Sequence, residues 1–138
     1  MSTEKLAKVL IIDDESSSIE VMTTMLESTM DIVIAETADD GYNLLQLHDF
    51  DIILLDVDLP DLSGFDLCKR IKSEIRFSHI PVIFISGYKD LIFEIQAFES
   101  GGIDYLTKPI SPVKMLIRMS VVLKIKLPIP SSKNIKID

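Results

Sequence analysis

The stretch Ile52-Ile53-Leu54-Leu55-Asp56 sets four aliphatic side chains in a row and then stops on a carboxylate. A strand with one wetted face alternates apolar and polar residues, whereas an unbroken aliphatic run suits a strand buried on both faces of a parallel sheet. Val9 to Ile12, Ile32 to Ala35 and Val82 to Ile85 share the pattern, and a weaker fifth run spans Ile103 to Leu106. Amphipathic stretches fill the gaps, so strand and helix alternate in the βαβ rhythm and the class is α/β, with helices on both faces of a parallel sheet. The first, third and fourth runs are expected at its centre.

The helix signals carry their own mechanisms. Ser17 with Glu20 fits a capping box, and Ile19, Met22, Met25 and Leu26 then form one apolar stripe. Thr37 or Asp39 opens a second helix that reaches about His48, and Ser63 a third with Leu67, Cys68 and Ile71 at helical spacing. The fourth is expected from about Lys89 to Ser100, with Leu91, Ile92, Ile95 and Phe98 inward, stopping at Gly101-Gly102. The fifth opens with Ser111 as cap and Pro112 at its first position, and Pro128 and Pro130 are expected to end it.

The chain has 138 residues, the size of one domain, expected over 1–127, with 128–138 as linker or disordered tail. Lys and Arg number 14 against 22 Asp and Glu, a net charge of −8 that disfavours direct binding to nucleic acid or to anionic membrane surfaces. A single cysteine, Cys68, supplies neither a disulfide nor a thiolate zinc cage and suits inert core in a reducing, cytoplasmic setting. No apolar run has signal-peptide or membrane-spanning length. His48 and His79 lie in separate connections without matching ligands, and Lys69, Arg70, Lys72 and Arg76 read as a solvated helix face.

Ligands of open parallel sheets sit beyond the carboxyl ends of the strands, so the polar residues that follow each run decide the chemistry. Asp13 and Asp14 follow the first run, Asp56 the third, Ser86 the fourth and Lys108 the fifth. Three clustered carboxylates raise one another's pKa unless a divalent cation offsets them, and hard, oxygen-seeking Mg²⁺ fits such ligands. With a lysine and a hydroxyl added, the set holds a phosphoryl group beside a carboxylate nucleophile, and phosphoryl transfer to that carboxylate is the reaction these parts suit.

Val9-Leu10-Ile11-Ile12-Asp13-Asp14-Glu15, Leu54-Leu55-Asp56-Val57-Asp58-Leu59-Pro60 with Gly64, Ile83-Phe84-Ile85-Ser86-Gly87 and Asp104-Tyr105-Leu106-Thr107-Lys108-Pro109 together resemble the receiver domain of two-component response regulators, over residues 5 to about 127. Each piece alone is common; four in this order are specific. The resemblance implies a five-stranded sheet of flavodoxin-like order 2-1-3-4-5. It makes Asp56 the phosphoacceptor, fed by a histidine kinase or histidine phosphotransfer protein. Asp13, Asp14, Asp56 and the backbone carbonyl of Asp58 would hold Mg²⁺, Lys108 and Ser86 would hold the phosphoryl oxygens, and Gly87 would keep the approach open. Lys108-Pro109 is implied to be cis. Ser86 and Tyr105 would be the switch pair that reports phosphorylation to the fourth helix, fifth strand and fifth helix. Such a domain is not an enzyme beyond its own phosphorylation and slow dephosphorylation. Asp58 and Tyr88 depart from common patterns near the phosphoryl site.

Two other classes compete. Asp56-Val57-Asp58 after an apolar strand imitates a haloacid-dehalogenase-like Mg²⁺-dependent phosphatase, but that family places its nucleophile on the first strand and its acidic pair late. A flavodoxin-like cofactor binder lacks its hydroxyl-rich phosphate loop here. A receiver-like scaffold that signals without phosphate is the remaining alternative. Ten of the fifteen residues from Val113 to Leu127 are apolar, too many for one inward stripe, so part of the fifth helix is expected to face outward. That surface suits a homodimer through the fourth and fifth helices, or contact with an output domain absent from this chain.

Overall fold

The computed structural model describes residues 6–129. Aliphatic runs become β1 (Lys8–Ile12), β2 (Asp31–Ala35), β3 (Ile52–Asp56), β4 (Val82–Ser86) and β5 (Asp104–Thr107). Between and after them stand α1 (Ser16–Leu26), α2 (Ala38–Leu47), α3 (Gly64–Ser73), α4 (Leu91–Glu99) and α5 (Pro112–Leu123). All pairings are parallel, and the order is β2-β1-β3-β4-β5. The three central strands are the three most aliphatic runs, as burial on two faces requires.

Alternation along each strand divides the core in two. Leu10, Ile12, Ile53, Leu55 and Phe84 pack under α2 and α3, while Val9, Ile11, Ile52, Leu54, Ile83 and Ile85 pack under α1 and α5. Cys68 is buried in the first layer. Thr37, Ser63 and Ser111 cap α2, α3 and α5, their side-chain oxygens accepting the backbone N–H of Asp40, Asp66 and Lys114. The peptide bond before Pro109 is cis.

Several expectations are corrected. Ser17 does not cap α1; the helix follows Glu15, whose carboxylate accepts from the hydroxyl groups of Ser17 and Ser18. The fifth strand starts one residue later than its apolar run, leaving Ile103 exposed. As the end strand, β2 is only partly covered rather than buried on both faces. α5 stops before either proline, at Lys124 in the left-handed conformation with φ 55°. Leu91, Ile92, Ile95 and Phe98 of α4 do not point inward; Ala97 is the buried residue of that helix, with Phe93 packed beside it. Gly101 and Gly102 do end α4, their N–H groups donating to the carbonyls of Phe98 and Ala97. Lys72 is half-buried rather than solvated, because its ammonium caps the carbonyls of Ser78 and Ile80. Of the expected 128–138 tail, residues 130–138 lie outside the described residues.

Candidate functional site

The parallel register brings the polar strand ends to one edge of the sheet. Ile12 pairs with Leu55, so Asp13 follows β1 level with Asp56; Asp56 pairs with Ile85, and Ser86 with Thr107, one residue before Lys108. Carboxylate oxygens of Asp13, Asp14 and Asp56 come within 4.8 Å of one another. Asp13 and Asp56 are buried and Asp14 is exposed, so the cluster opens to solvent on one side, into a cleft of about 300 Å³ also lined by Asp58, Gly87 and Lys108.

Lys108 crosses this cluster. Its Nζ lies 3.1 Å from Asp56 Oδ2 and 3.2 Å from Asp13 Oδ2. A third carboxylate, Glu15, stands 3.6 Å away. Burial alone would lower the lysine pKa, but Asp56 and Asp13 outweigh it and hold the ammonium above its ordinary range. Asp56 shows the opposite balance: burial and then the charge of Asp13 raise its carboxyl to about 7, with Lys108 offsetting part of the effect. One ammonium does not neutralise this much buried negative charge.

A divalent cation fits what remains. Asp13 Oδ2 is buried and accepts no hydrogen bond, since the Lys108 ammonium approaches it out of alignment. Asp13 Oδ1 accepts from the Glu15 N–H at 2.9 Å, and Asp56 Oδ1 from the Asp58 N–H at 3.2 Å. The donor set is entirely oxygen, which suits Mg²⁺ rather than a thiophilic metal.

The expected residues separate into two groups. Asp13, Asp14, Asp56 and Lys108 meet in one cluster. Ser86 is buried at the end of the neighbouring strand with its Oγ accepting from the Tyr88 N–H at 3.0 Å, a turn bond rather than a bond to the cluster. Tyr105 is also buried, its hydroxyl donating to the Tyr88 carbonyl at 2.6 Å. Burial raises the Tyr105 phenol above its ordinary range. A Cβ at Gly87 would meet no atom within 4 Å, so this position faces open space.

Some contacts around the site escape a reading of the sequence alone. Gly64 carries a steric requirement: a Cβ there would lie 2.2 Å from the Asp56 carbonyl oxygen, and its N–H donates to the Val57 carbonyl at 2.7 Å, so α3 starts against the backbone of Asp56. Asp61 accepts the N–H groups of Ala38 and Asp39, joining the loop after Asp56 to the start of α2. Tyr88 stacks on Phe93 at 4.1 Å and donates its hydroxyl to Asp58 Oδ1 at 3.2 Å, so the two unusual residues near the site are bonded to each other. Spacing in sequence holds no signal for that pair, which is 30 residues apart.

The arrangement can be compared with known proteins. Residues 9–120 match the family model of the response regulator receiver domain. This chain belongs to the response regulator receiver family. PleD, a response regulator of Caulobacter vibrioides, is 36% identical over 124 residues, which cover 88% of this chain and 27% of PleD. The cell cycle transcriptional regulator CtrA of the same organism is 30% identical over 118 residues, 85% of this chain and 50% of CtrA. This receiver thus spans half or less of these curated relatives. Among solved structures, a CheY-like receiver domain protein of Methanospirillum hungatei is 26% identical with a TM-score of 0.80, covering 87% of this chain and 95% of that one. The BeF₃-activated receiver domain of DrrB is 28% identical with a TM-score of 0.78, over 86% and 98% of the two chains.

Receiver membership makes this a signalling domain of two-component systems, and it disfavours the phosphatase reading, whose nucleophile would stand on the first strand. Among the described residues no helix is long and apolar enough to cross a membrane.

Proposed function

We propose that Asp56 is the phosphoacceptor of this receiver and takes its phosphoryl group from the phosphohistidine of a histidine kinase or phosphotransfer protein. The observation that carries this reading is a buried carboxylate at a strand end, ringed by two more carboxylates and one lysine 3.1 Å away. An Asp56 oxygen attacks phosphorus as the bond to the imidazole nitrogen breaks, and the electron pair returns to that ring. Asp13, Asp14, Asp56 and the backbone carbonyl of Asp58 would hold Mg²⁺, which when bound supplies positive charge for the phosphoryl oxygens. Lys108, 3.1 Å from Asp56, would hold one phosphoryl oxygen. The Ser86 hydroxyl would take another once it leaves the Tyr88 N–H, and Tyr105 is buried beside the same loop.

The test is intact mass after incubation with acetyl phosphate, with and without Mg²⁺. A single phosphoryl adduct that needs Mg²⁺ and is absent from Asp56→Asn is the expected outcome; no adduct under any condition would leave a receiver-shaped scaffold that signals without phosphate.

The output surface in this reading is α4, β5 and α5. Leu91 is 67% exposed and Val121 70% exposed, with Ile92, Ile95, Phe98 and Ile117 also open, an apolar area that suits a homodimer. Sedimentation at micromolar concentration, with and without the phosphoryl mimic beryllofluoride, is expected to show association that strengthens with the mimic. A strict monomer in both states would count against the dimer. A module elsewhere on a longer protein, or a separate target, would read the same surface, and a cytoplasmic setting suits a kinase donor and a thiol such as Cys68.

A further inference from the structure

The two edges of the sheet are finished differently. β5 has four residues, and Asp104 at its start lies 3.4 Å from Arg118 of α5. β2 has five, pairs with β1 in unbroken register, and contains neither proline nor lysine, the residues that commonly blunt an edge. The Asp31 N–H and the Ala35 carbonyl both bond toward β1, to Ala7 and Asp13. Strand alternation therefore turns the peptide groups of Ile32 and Ile34 outward, and among the described residues no strand lies beyond them.

This edge lies in a groove. α1 and α2 belong to opposite layers of the core, and together with the end of β2 they line an open groove of about 830 Å³. Ile19, Ile34 and Leu44 give it apolar surface, with Ile34 itself 41% exposed. Its charged lining residues are Glu20, Glu36 and Asp40, and no lysine or arginine joins them. A second hollow, sharing Leu47 with the first, continues past the start of β2 with Glu27, Asp31 and Asp49. The ammonium of Lys8 there stands 3.8 Å from Asp31.

We propose that the outer edge of β2 is a docking site for a basic, extended segment of another protein, which adds to the sheet as a sixth strand. The outward peptide groups of Ile32 and Ile34 supply the main-chain hydrogen bonds, Ile34 and its neighbours receive apolar side chains, and the acidic rim receives lysine or arginine. Nucleic acid and phosphate are repelled by the same rim. A second copy of the chain would set two acidic edges against each other. The groove shares no lining residue with the phosphoacceptor cleft or with α4, its continuation past the start of β2 reaches α5 only at Leu123, and the proposal does not depend on phosphorylation.

The probe is a capped peptide of about seven residues alternating valine with lysine and arginine, long enough to span a strand, titrated into the isotope-labelled chain while amide shifts are followed. The expected shifts fall at residues 31–36 and on the facing turns of α1 and α2, and binding weakens as salt is raised from about 50 mM to about 300 mM. The counterpart with glutamate in place of the basic residues is expected not to bind. N-methylation of alternate residues of the basic peptide, which leaves its charge intact, should weaken binding by at least about tenfold, and so should Ile34→Lys. Because the methylated peptide is tested on the unaltered chain, the proposal stays testable even if the variant folds poorly. Equal binding of the methylated peptide, shifts centred on Asp13 and Asp56, or no binding would overturn the proposal. So would an Ile34→Lys variant that converts a dimer into a monomer, which would assign the edge to a second copy.

Discussion

The β3–α3 and β4–α4 units have the same plan, a buried strand, a loop at the site and a covering helix, yet they are built to different tolerances. In the first, Gly64 brings the start of α3 against the Asp56 carbonyl, Ser63 caps the helix, and Leu67, Cys68 and Ile71 are fully buried. In the second, Asp90 precedes α4 without a side-chain cap bond, Gly87 faces open space, and Ala97 is the buried residue of a helix whose larger side chains stay outside. The unit that carries Asp56 is tightly packed, and the unit that carries Ser86 is held lightly. Under the proposed phosphorylation, Asp56 thus has a tightly packed helix start on one side and a lightly packed one on the other, the asymmetry a two-state switch needs.

The sharpest contrast lies in leucine truncation. Leu67→Ala removes a buried side chain from under α3 and is expected to cost about 2–5 kcal/mol, whereas Leu91→Ala on exposed α4 should fall within about 0.5 kcal/mol of the parent. Urea unfolding of the two variants measures the difference, and comparable losses would mean that α4 is as firmly seated as α3.

The fold was legible because the central runs are aliphatic without alternation, and the cluster was legible because Asp13 and Asp56 each follow such a run and Lys108 follows the weaker fifth. α4 was misread because Leu91, Ile92, Ile95 and Phe98 have the spacing of an inward stripe while the opposite face carries the small Ala97. Periodicity identifies the apolar face and not the direction it takes; close packing under Ala97 set that direction, and the large residues were left for the surface. The Ser17 capping box failed because the helix starts earlier, after Glu15, whose carboxylate accepts from both serines. The Tyr88–Asp58 bond joins two loops that only the assembled sheet brings together.

Titration probes the fixed unit from another side. The Asp56 carboxyl ordinarily titrates near 3.8 and is raised to about 7 by burial and by Asp13. Between those values the folded chain binds more protons than the unfolded one, so the metal-free protein is expected to lose stability as pH rises from about 4 to about 7, by up to about 4 kcal/mol at this site. The contribution is fully present below the lower value and gone above the higher. Asp56→Asn should flatten that slope and be more stable than the parent at pH 8, and adding Mg²⁺ to the parent should restore stability there. Thermal unfolding across pH with EDTA or with Mg²⁺ measures all three; an unchanged slope in Asp56→Asn would locate the strain in other groups.

The smallest effect concerns the bridge between the two units. The Tyr88 hydroxyl bonds to exposed Asp58, and its ring stacks on Phe93 at the base of α4, so the lightly held loop is tied by one hydrogen bond to the loop that follows Asp56. That hydrogen bond and the charge of Asp58 raise the Tyr88 phenol above its ordinary range. Asp58→Asn should therefore lower the pH at which one tyrosine ionises, read from absorbance near 295 nm, while Tyr88→Phe removes that transition altogether. Global stability should move by no more than a few tenths of a kcal/mol in Tyr88→Phe, because the bond is solvent-exposed. Amide exchange should rise several-fold over residues 87–93 and stay unchanged over 57–66, since Gly64 and the Ser63 cap hold the second loop without help from Tyr88. Equal acceleration in both loops would show that the bridge restrains the β3–α3 side as well, and the division between fixed and movable units would have to be drawn elsewhere.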